Sequence, residues 1–290
     1  MIINGSAGSG HDPGQAEALR AAFARHGATA TVTLAEDGQA MIATAKAALE
    51  NGASLVVAGG GDGTINAIAA VLAGTKVAFG VLPLGTLNHF AKDLGIPLDL
   101  EGAVANVVNG ERKMVDVGEV NGQVFLNNSS LGLYPNMVRD RDRQQRLGRG
   151  KWLAACWASI VVLTRYPFLQ VRLKLEEGEH LRSTPFVFIG NNEYTMEGLN
   201  IGERTALDRG RLSLYVAQRP GRLGLLRFAW RALCGRLAQE SDFDVLFGES
   251  IEVETGHKLL RVATDGEVTV MVTPLKYRIR PAALCVIVPS

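Results

Sequence analysis

Residues 59–64 read Gly-Gly-Gly-Asp-Gly-Thr, set between the apolar run Ser54–Ala58 and a helical pattern from Ile65 to about Leu72. A buried strand that turns into a helix through glycines calls for a parallel sheet covered by helices. The neighbouring segments agree. Gln15–His26 carries Ala18, Leu19, Ala22 and Phe23 at helical spacing. Ala30–Leu34 is a short β-rich run, and Ala40–Leu49 is an alanine-rich helix closed by Asn51-Gly52. Val77–Leu82 is a second buried strand and leads into a turn at Pro83–Thr86. After about Met114 the pattern changes. Val115–Val120 and Val124–Asn127 flank the turn Asn121-Gly122, and a long helical stretch to about Arg165 is expected next. Short strands follow at Leu169–Leu175, Pro185–Ile189, Leu212–Val216, Ile251–Glu254, Leu259–Ala263 and Val268–Val272, as in an antiparallel sandwich or barrel. The expected fold class is α/β plus all-β: an α/β domain over residues 1–114 and a β-rich domain over 115–276.

Strand-to-helix turns at the carboxyl edge of a parallel sheet are where such sheets bind ligands. Glycines allow close backbone approach to a phosphate, and the N–H groups that open a helix hold its charge. Gly60, Gly61, Gly63 and the Thr64 hydroxyl suit that task, and Asp62 suits the magnesium ion that accompanies a nucleoside triphosphate. A Walker loop is excluded because no Gly-Lys precedes a Ser or Thr here, and Gly5–Gly10 reads GxxGxG rather than GxGxxG. The second turn, in Pro83–Pro97, places Gly85, Thr86 and Asn88 beside the first. Each feature also has a plain structural reading: a tight turn for the glycines, and a helix N-cap for Asn88.

Composition narrows the remaining classes. Net charge is +1, so no global field favours nucleic acid. Cys156, Cys234 and Cys285 form no CxxC pair, and the five histidines show no ligand spacing, so neither a disulfide framework nor a transition-metal site is expected. The opening residues MIINGSAGSG lack a basic and apolar leader, and the apolar run Trp152–Leu163 is shorter than the roughly 20 residues that span a bilayer. A cytoplasmic protein with at most peripheral membrane contact is expected.

GGDGTIN (60–66), PLGTLNHFAKDLGIP (83–97), VDVG (115–118) and TDGE (264–267) occur in order over nearly the whole chain. Together they resemble the diacylglycerol kinase catalytic-domain family, which includes bacterial lipid kinases and sphingosine and ceramide kinases, and more distantly the NAD kinases. The resemblance implies a nucleotide-binding α/β domain, a β-rich substrate domain, a site in the cleft between them, and a last strand (277–290) that returns to the first domain. It implies ATP and Mg²⁺, and a lipid acceptor met peripherally at a membrane surface. It implies that Ser6 and Asn66 join the nucleotide contacts, that Asp62 and Asp116 serve the metal, and that Asp265, with Glu267 beside it, is the general base. A carboxylate within reach of a lipid hydroxyl can take its proton as the phosphoryl bond forms. Alone, Asp265-Gly266 reads more readily as a plain β-turn than as a catalytic pair.

Several positions depart from the family pattern. Asn4-Gly5-Ser6-Ala7-Gly8-Ser9 lacks the usual proline and lysine, Ala67 stands for a glutamate and His89 for an aspartate. Arg209 and Ser213 replace carboxylates that hold a structural magnesium in some members, so that second metal is not expected. Arg139–Lys151 carries six basic and two acidic residues, suited to anionic headgroups or to a solvated helix face. Leu223, Leu226, Trp230, Leu233 and Leu237 form an apolar stripe suited to a membrane interface or to the protein's own core. The acceptor stays open between a lipid and a soluble hydroxyl compound, a catalytically weak binding protein is the third reading, and a homodimer is left open.

Overall fold

The computed structural model of the chain describes residues 1–5, 13–132, 168–197, 200–204, 206–217 and 243–290. The chain divides into two compact units, Met1–Val117 with Leu207–Arg209 and Arg280–Ser290, and Gly118–Ala206 with Gly210–Ile279.

The first unit runs β1 (Ile2–Asn4), α1 (Pro13–Arg25), β2 (Thr33–Ala35), α2 (Gly38–Glu50), β3 (Leu55–Gly60), α3 (Asp62–Leu72), β4 (Ala78–Pro83), α4 (His89–Asp93), α5 (Leu100–Asn109) and the start of β5 (Glu111–Val120). β1 pairs in parallel with both β2 and β3, and β3 in parallel with β4. β4 is buried along its whole length and β3 at all but its first residue, as continuous apolar strands must be when both sheet faces are covered. Ile3, Val57 and Leu82 form one core with Leu19 and Phe23 of α1 and Val104 and Val107 of α5. Helix ends follow local chemistry: Asp37 and Asp99 cap α2 and α5 by accepting from Ala40 and Gly102 N–H groups.

The second unit continues with β6 (Gln123–Phe125), β7 (Asn128–Gly132), β8 (Leu169–Leu175), β9 (Gly178–Thr184), β10 (Phe186–Asn191), β11 (Tyr194–Glu197), β12 (Asn200–Arg204), β13 (Leu212–Ala217), β14 (Phe243–Gly248), β15 (Ser250–Thr255), β16 (Leu259–Thr264), β17 (Glu267–Val272) and β18 (Leu275–Val288). An antiparallel six-stranded sheet has the order β14-β13-β10-β7-β16-β17. Its inward residues Leu131, Val187, Ile189, Leu214 and Val262 meet Val171, Leu173, Ile251, Val253 and Tyr277 from β8, β15 and β18. This is an antiparallel sandwich, and with the parallel sheet of the first unit it gives the α/β plus all-β class that the sequence predicts. The last residues of β18 belong to the first unit, where Cys285 and Val286 pair in parallel with Ala78 and Phe79 of β4.

One expectation fails locally. The helical stretch predicted after Asn127 begins instead as a strand, β7. Ser129 and Ser130 are buried, and the Ser129 hydroxyl bonds the Tyr277 hydroxyl at 3.1 Å inside the sandwich. A polar run reads as surface or turn unless its partners are known. The remainder of that stretch, the basic run 139–151 and the apolar stripe 223–237 lie outside the described residues.

Candidate active site

In the first unit, the two glycine turns are built as one object. β3 and β4 end in register, Gly60 beside Pro83, and the Leu84 N–H donates to the Gly60 carbonyl at 3.0 Å. A Cβ on Gly85 would lie 2.4 Å from the Gly61 Cα, so no side chain fits at position 85. Asn88 locks the second turn. It is buried, left-handed at φ 52°, and its Oδ1 accepts from the Gly85 N–H at 3.1 Å. Its Nδ2 donates to the Pro83 and Gly85 carbonyls at 3.1 and 2.9 Å. The Asn88 N–H donates to Asp62 Oδ2 at 3.0 Å, which ties the second turn to the first. Asn88 precedes α4, but its side chain makes no cap bond and turns back into the loop.

Asp62 opens α3, with Gly61 as an N-cap that lacks a side chain. Its Oδ2 is engaged by Asn88 and its Oδ1 makes no hydrogen bond among the described residues. Thr64 is buried, and its hydroxyl accepts from Asn4 Nδ2 at 3.2 Å, which brings the end of β1 to the same place. Asn4 is a contributor that the sequence reading did not single out. Thr86 is exposed on the second turn. Asn66 stands one turn into α3 with a buried Oδ1 that has no hydrogen-bond partner among the described residues. Ser6 lies outside the described residues. Asp116 is buried on β5, and its Oδ1 accepts the N–H of Ala282 at 2.8 Å, where β18 takes a positive φ of 48°.

No group of three His, Cys, Asp or Glu is gathered among the described residues. Magnesium usually keeps several waters and takes one or two carboxylates plus substrate phosphates. Asp62 Oδ1, a hard oxygen at a glycine turn, is the donor that fits it. Ser213, where a second magnesium was not expected, donates its hydroxyl to the Asn192 carbonyl at 2.5 Å, a bond that an ionised carboxylate could not make.

In the second unit, Asp265 and Gly266 form the turn between β16 and β17, both at positive φ (49° and 84°), as a tight two-residue hairpin requires. The turn also sets the Asp265 carboxylate against backbone N–H groups of another segment. Asp265 Oδ2 accepts from the Leu126 N–H at 2.7 Å, and Oδ1 accepts from the Asn127 and Asn128 N–H groups at 2.9 and 3.0 Å. Burial raises the Asp265 carboxyl from 3.8 to about 6, against the lowering effect of these three bonds and of the Arg204 charge. Glu267 is exposed at the start of β17. Around Asp265 lies a polar cluster that sequence reading missed, made of Asn127, Asn191 and Arg204, all buried. Buried arginine has no local signature in a sequence.

Comparison with known proteins places these elements in a family. A family model described as the diacylglycerol kinase catalytic domain matches residues 1–120, and one described as the YegS C-terminal NAD kinase beta sandwich-like domain matches residues 136–288. A Pseudomonas aeruginosa protein named "Probable lipid kinase YegS-like" is 32% identical over 270 residues, covering 88% of this chain and 83% of that one. The chain belongs to the diacylglycerol kinase catalytic-domain family. A Bacillus subtilis member named "Diacylglycerol kinase" is 28% identical over 234 residues, 79% of this chain and 76% of its own. A Synechocystis relative, 27% identical over 243 residues, is longer, and the chain spans 55% of it. The crystal structure of a diacylglycerol kinase from Bacillus anthracis shares the fold, with a TM-score of 0.71 at 20% identity over 99% of this chain and 95% of that one. Asp62, Asn88 and Asp116 fall within the catalytic-domain match, and Arg204 and Asp265 within the sandwich match. Among the described residues no helix is long and apolar enough to cross a membrane.

Proposed function

We propose that this family member is an ATP-dependent lipid kinase, transferring the γ-phosphoryl group to a hydroxyl of diacylglycerol or a related lipid at a membrane surface. The observation that carries the reading is the Asp265 carboxyl, held in one orientation by three backbone N–H groups and raised to about 6. A base with that affinity is mostly ionised at neutral pH, yet it takes a proton more readily than an ordinary carboxylate. An ionised carboxylate has about four lone-pair sites. Oδ1 has both of its own occupied and Oδ2 has one left, so Oδ2 is the atom that receives the acceptor's proton. The acceptor oxygen then bonds the γ-phosphorus, the bond to the bridging oxygen breaks, and ADP leaves. The paired glycine turns cradle the phosphates with backbone N–H groups, and Gly60, Gly61, Gly63, Gly85 and Thr64 are the contributing residues. Asn88 shapes the loop, while Asn66 and Thr86 stand beside it. Asp62 Oδ1 would hold magnesium, which neutralises charge on the phosphates, and Asp116 supports that region through β18. The acid test is incubation with γ-labelled ATP, Mg²⁺ and a mixed lipid extract beside an Asp265→Asn control. Label that enters the organic phase and vanishes in the control supports the assignment. Label confined to the aqueous phase, with ATP binding intact, sinks the lipid acceptor.

A further inference from the structure

The segment Leu126–Asn128 is gripped from two sides. Its N–H groups hold the Asp265 carboxylate, and the Asn128 carbonyl accepts the Asp265 N–H at 2.9 Å. The Asn127 carbonyl accepts the Asn191 N–H at 2.9 Å, and the Leu126 carbonyl and the Asn127 side chain face Arg204. Nη1 of Arg204 donates to the Leu126 carbonyl at 2.6 Å and to the Asn191 carbonyl at 3.1 Å, and Nη2 donates to Asn127 Oδ1 at 2.8 Å. Asn191 reinforces the clamp, its Nδ2 reaching the Leu126 carbonyl at 2.8 Å. The guanidinium lies 5.2 Å from the centre of the Tyr194 ring, and the residue is only 6% exposed.

A buried guanidinium is costly unless its donors are used. Here two of the donations, to the Leu126 carbonyl and to Asn127 Oδ1, go to the segment whose N–H groups hold the carboxylate. We propose that Arg204 is a positioning residue for Asp265: it fixes the Leu126–Asn128 segment from its carbonyl side so that the three N–H groups aim the carboxylate. The proposal rests on the reading of Asp265 as the base. A planar fork is required, because one group must reach the Leu126 carbonyl and the Asn127 amide together. A lysine would keep the charge and lose that geometry. Arg204 is also the charged group that acts on Asp265, while Glu267, two residues away, is exposed.

The test uses the full chain with Arg204→Met and Arg204→Lys. Asp265 is titrated by carbon NMR of labelled aspartate, assigned with Asp265→Asn, and kinase activity is followed against pH with ATP, Mg²⁺ and lipid extract. In Arg204→Met the Asp265 titration should move upward, and kcat should fall on the order of 100-fold with little change in KM for ATP. In Arg204→Lys the titration should stay near wild type while kcat still falls, because charge is kept and aim is lost. Should Arg204→Met not fold, Asn127→Ala, which removes the Nη2 acceptor alone, should lower kcat without moving KM for ATP. An Asp265 titration unchanged in folded Arg204→Met, or full activity in Arg204→Lys or Asn127→Ala, overturns the proposal. A titration that moves while the activity profile stays still upholds the coupling to Arg204 and removes Asp265 from the role of base.

Discussion

Two side chains decide how the candidate site is held, and each is more than its motif suggests. Asp265 stands in a tight turn, as its Asp-Gly sequence reads, and the same geometry delivers its carboxylate to three N–H groups. Its raised affinity sets a pH dependence. With the ionised form as the proposed base, protonation should abolish activity, and kcat/KM should fall about tenfold per unit as pH drops below about 6 and level off above it. A profile flat from pH 5 to 8 would remove Asp265 from the proton transfer. Asp265→Asn should lose activity by 100-fold or more, on the order expected for a general base. Asn88 makes a different point. Its side chain satisfies Gly85 and Pro83 and its N–H engages Asp62, so Asn88→Asp would set an oxygen against two carbonyls. That change should cost about 1–3 kcal/mol, read as a lowered unfolding midpoint, and weaken ATP binding with it.

The elements that position these residues were unevenly legible. Strands β3 and β4 and the glycine turns stand out because a buried parallel strand is a continuous apolar run, and only glycine at position 85 permits the close approach to Gly61. β7 was hidden because Ser129 and Ser130 are polar yet buried, and Arg204 was hidden because its partners are mostly backbone carbonyls. Spacing in a sequence records periodicity and turn chemistry; it does not record which remote backbone groups will face a side chain. The glycine pair yields an asymmetric prediction. A Cβ on Gly85 would strike the Gly61 Cα at 2.4 Å, whereas a Cβ on Gly61 would meet the Gly85 Cα at an ordinary 3.6 Å. Gly85→Ala should therefore separate the turns, cost about 1–3 kcal/mol and abolish measurable ATP binding by calorimetry. Gly61→Ala should bind within a few-fold of wild type. Equal effects of the two changes would show that the close approach is not what the loops depend on.

At the scale of the whole molecule, the chain passes between its two units along β5, returns to the first for Leu207–Arg209 and passes again along β18, so neither unit is one continuous segment. The first unit needs residues far from its own beginning. Cys285 and Val286 sit beside Ala78 and Phe79 of β4, and Asn106 Nδ2 of α5 donates to the Ile287 carbonyl at 3.2 Å. Asp116 holds the Ala282 N–H where the backbone turns through positive φ, and Asp116→Ala would leave that N–H without its acceptor, at a cost of about 1–3 kcal/mol. Deleting residues 282–290 is the sharper test. The second unit keeps every strand of its six-stranded sheet and the part of β18 up to Ile279. The first unit loses the strand beside β4 and uncovers a sheet edge that is otherwise buried. Hydrogen exchange on the truncated protein should therefore show protection lost in β3 and β4 and kept in β10 and β13. Loss of protection in all four would mean that the units fold as one cooperative body. Retained protection in β3 and β4 would mean that the early α/β segment carries its own sheet without the returning strand.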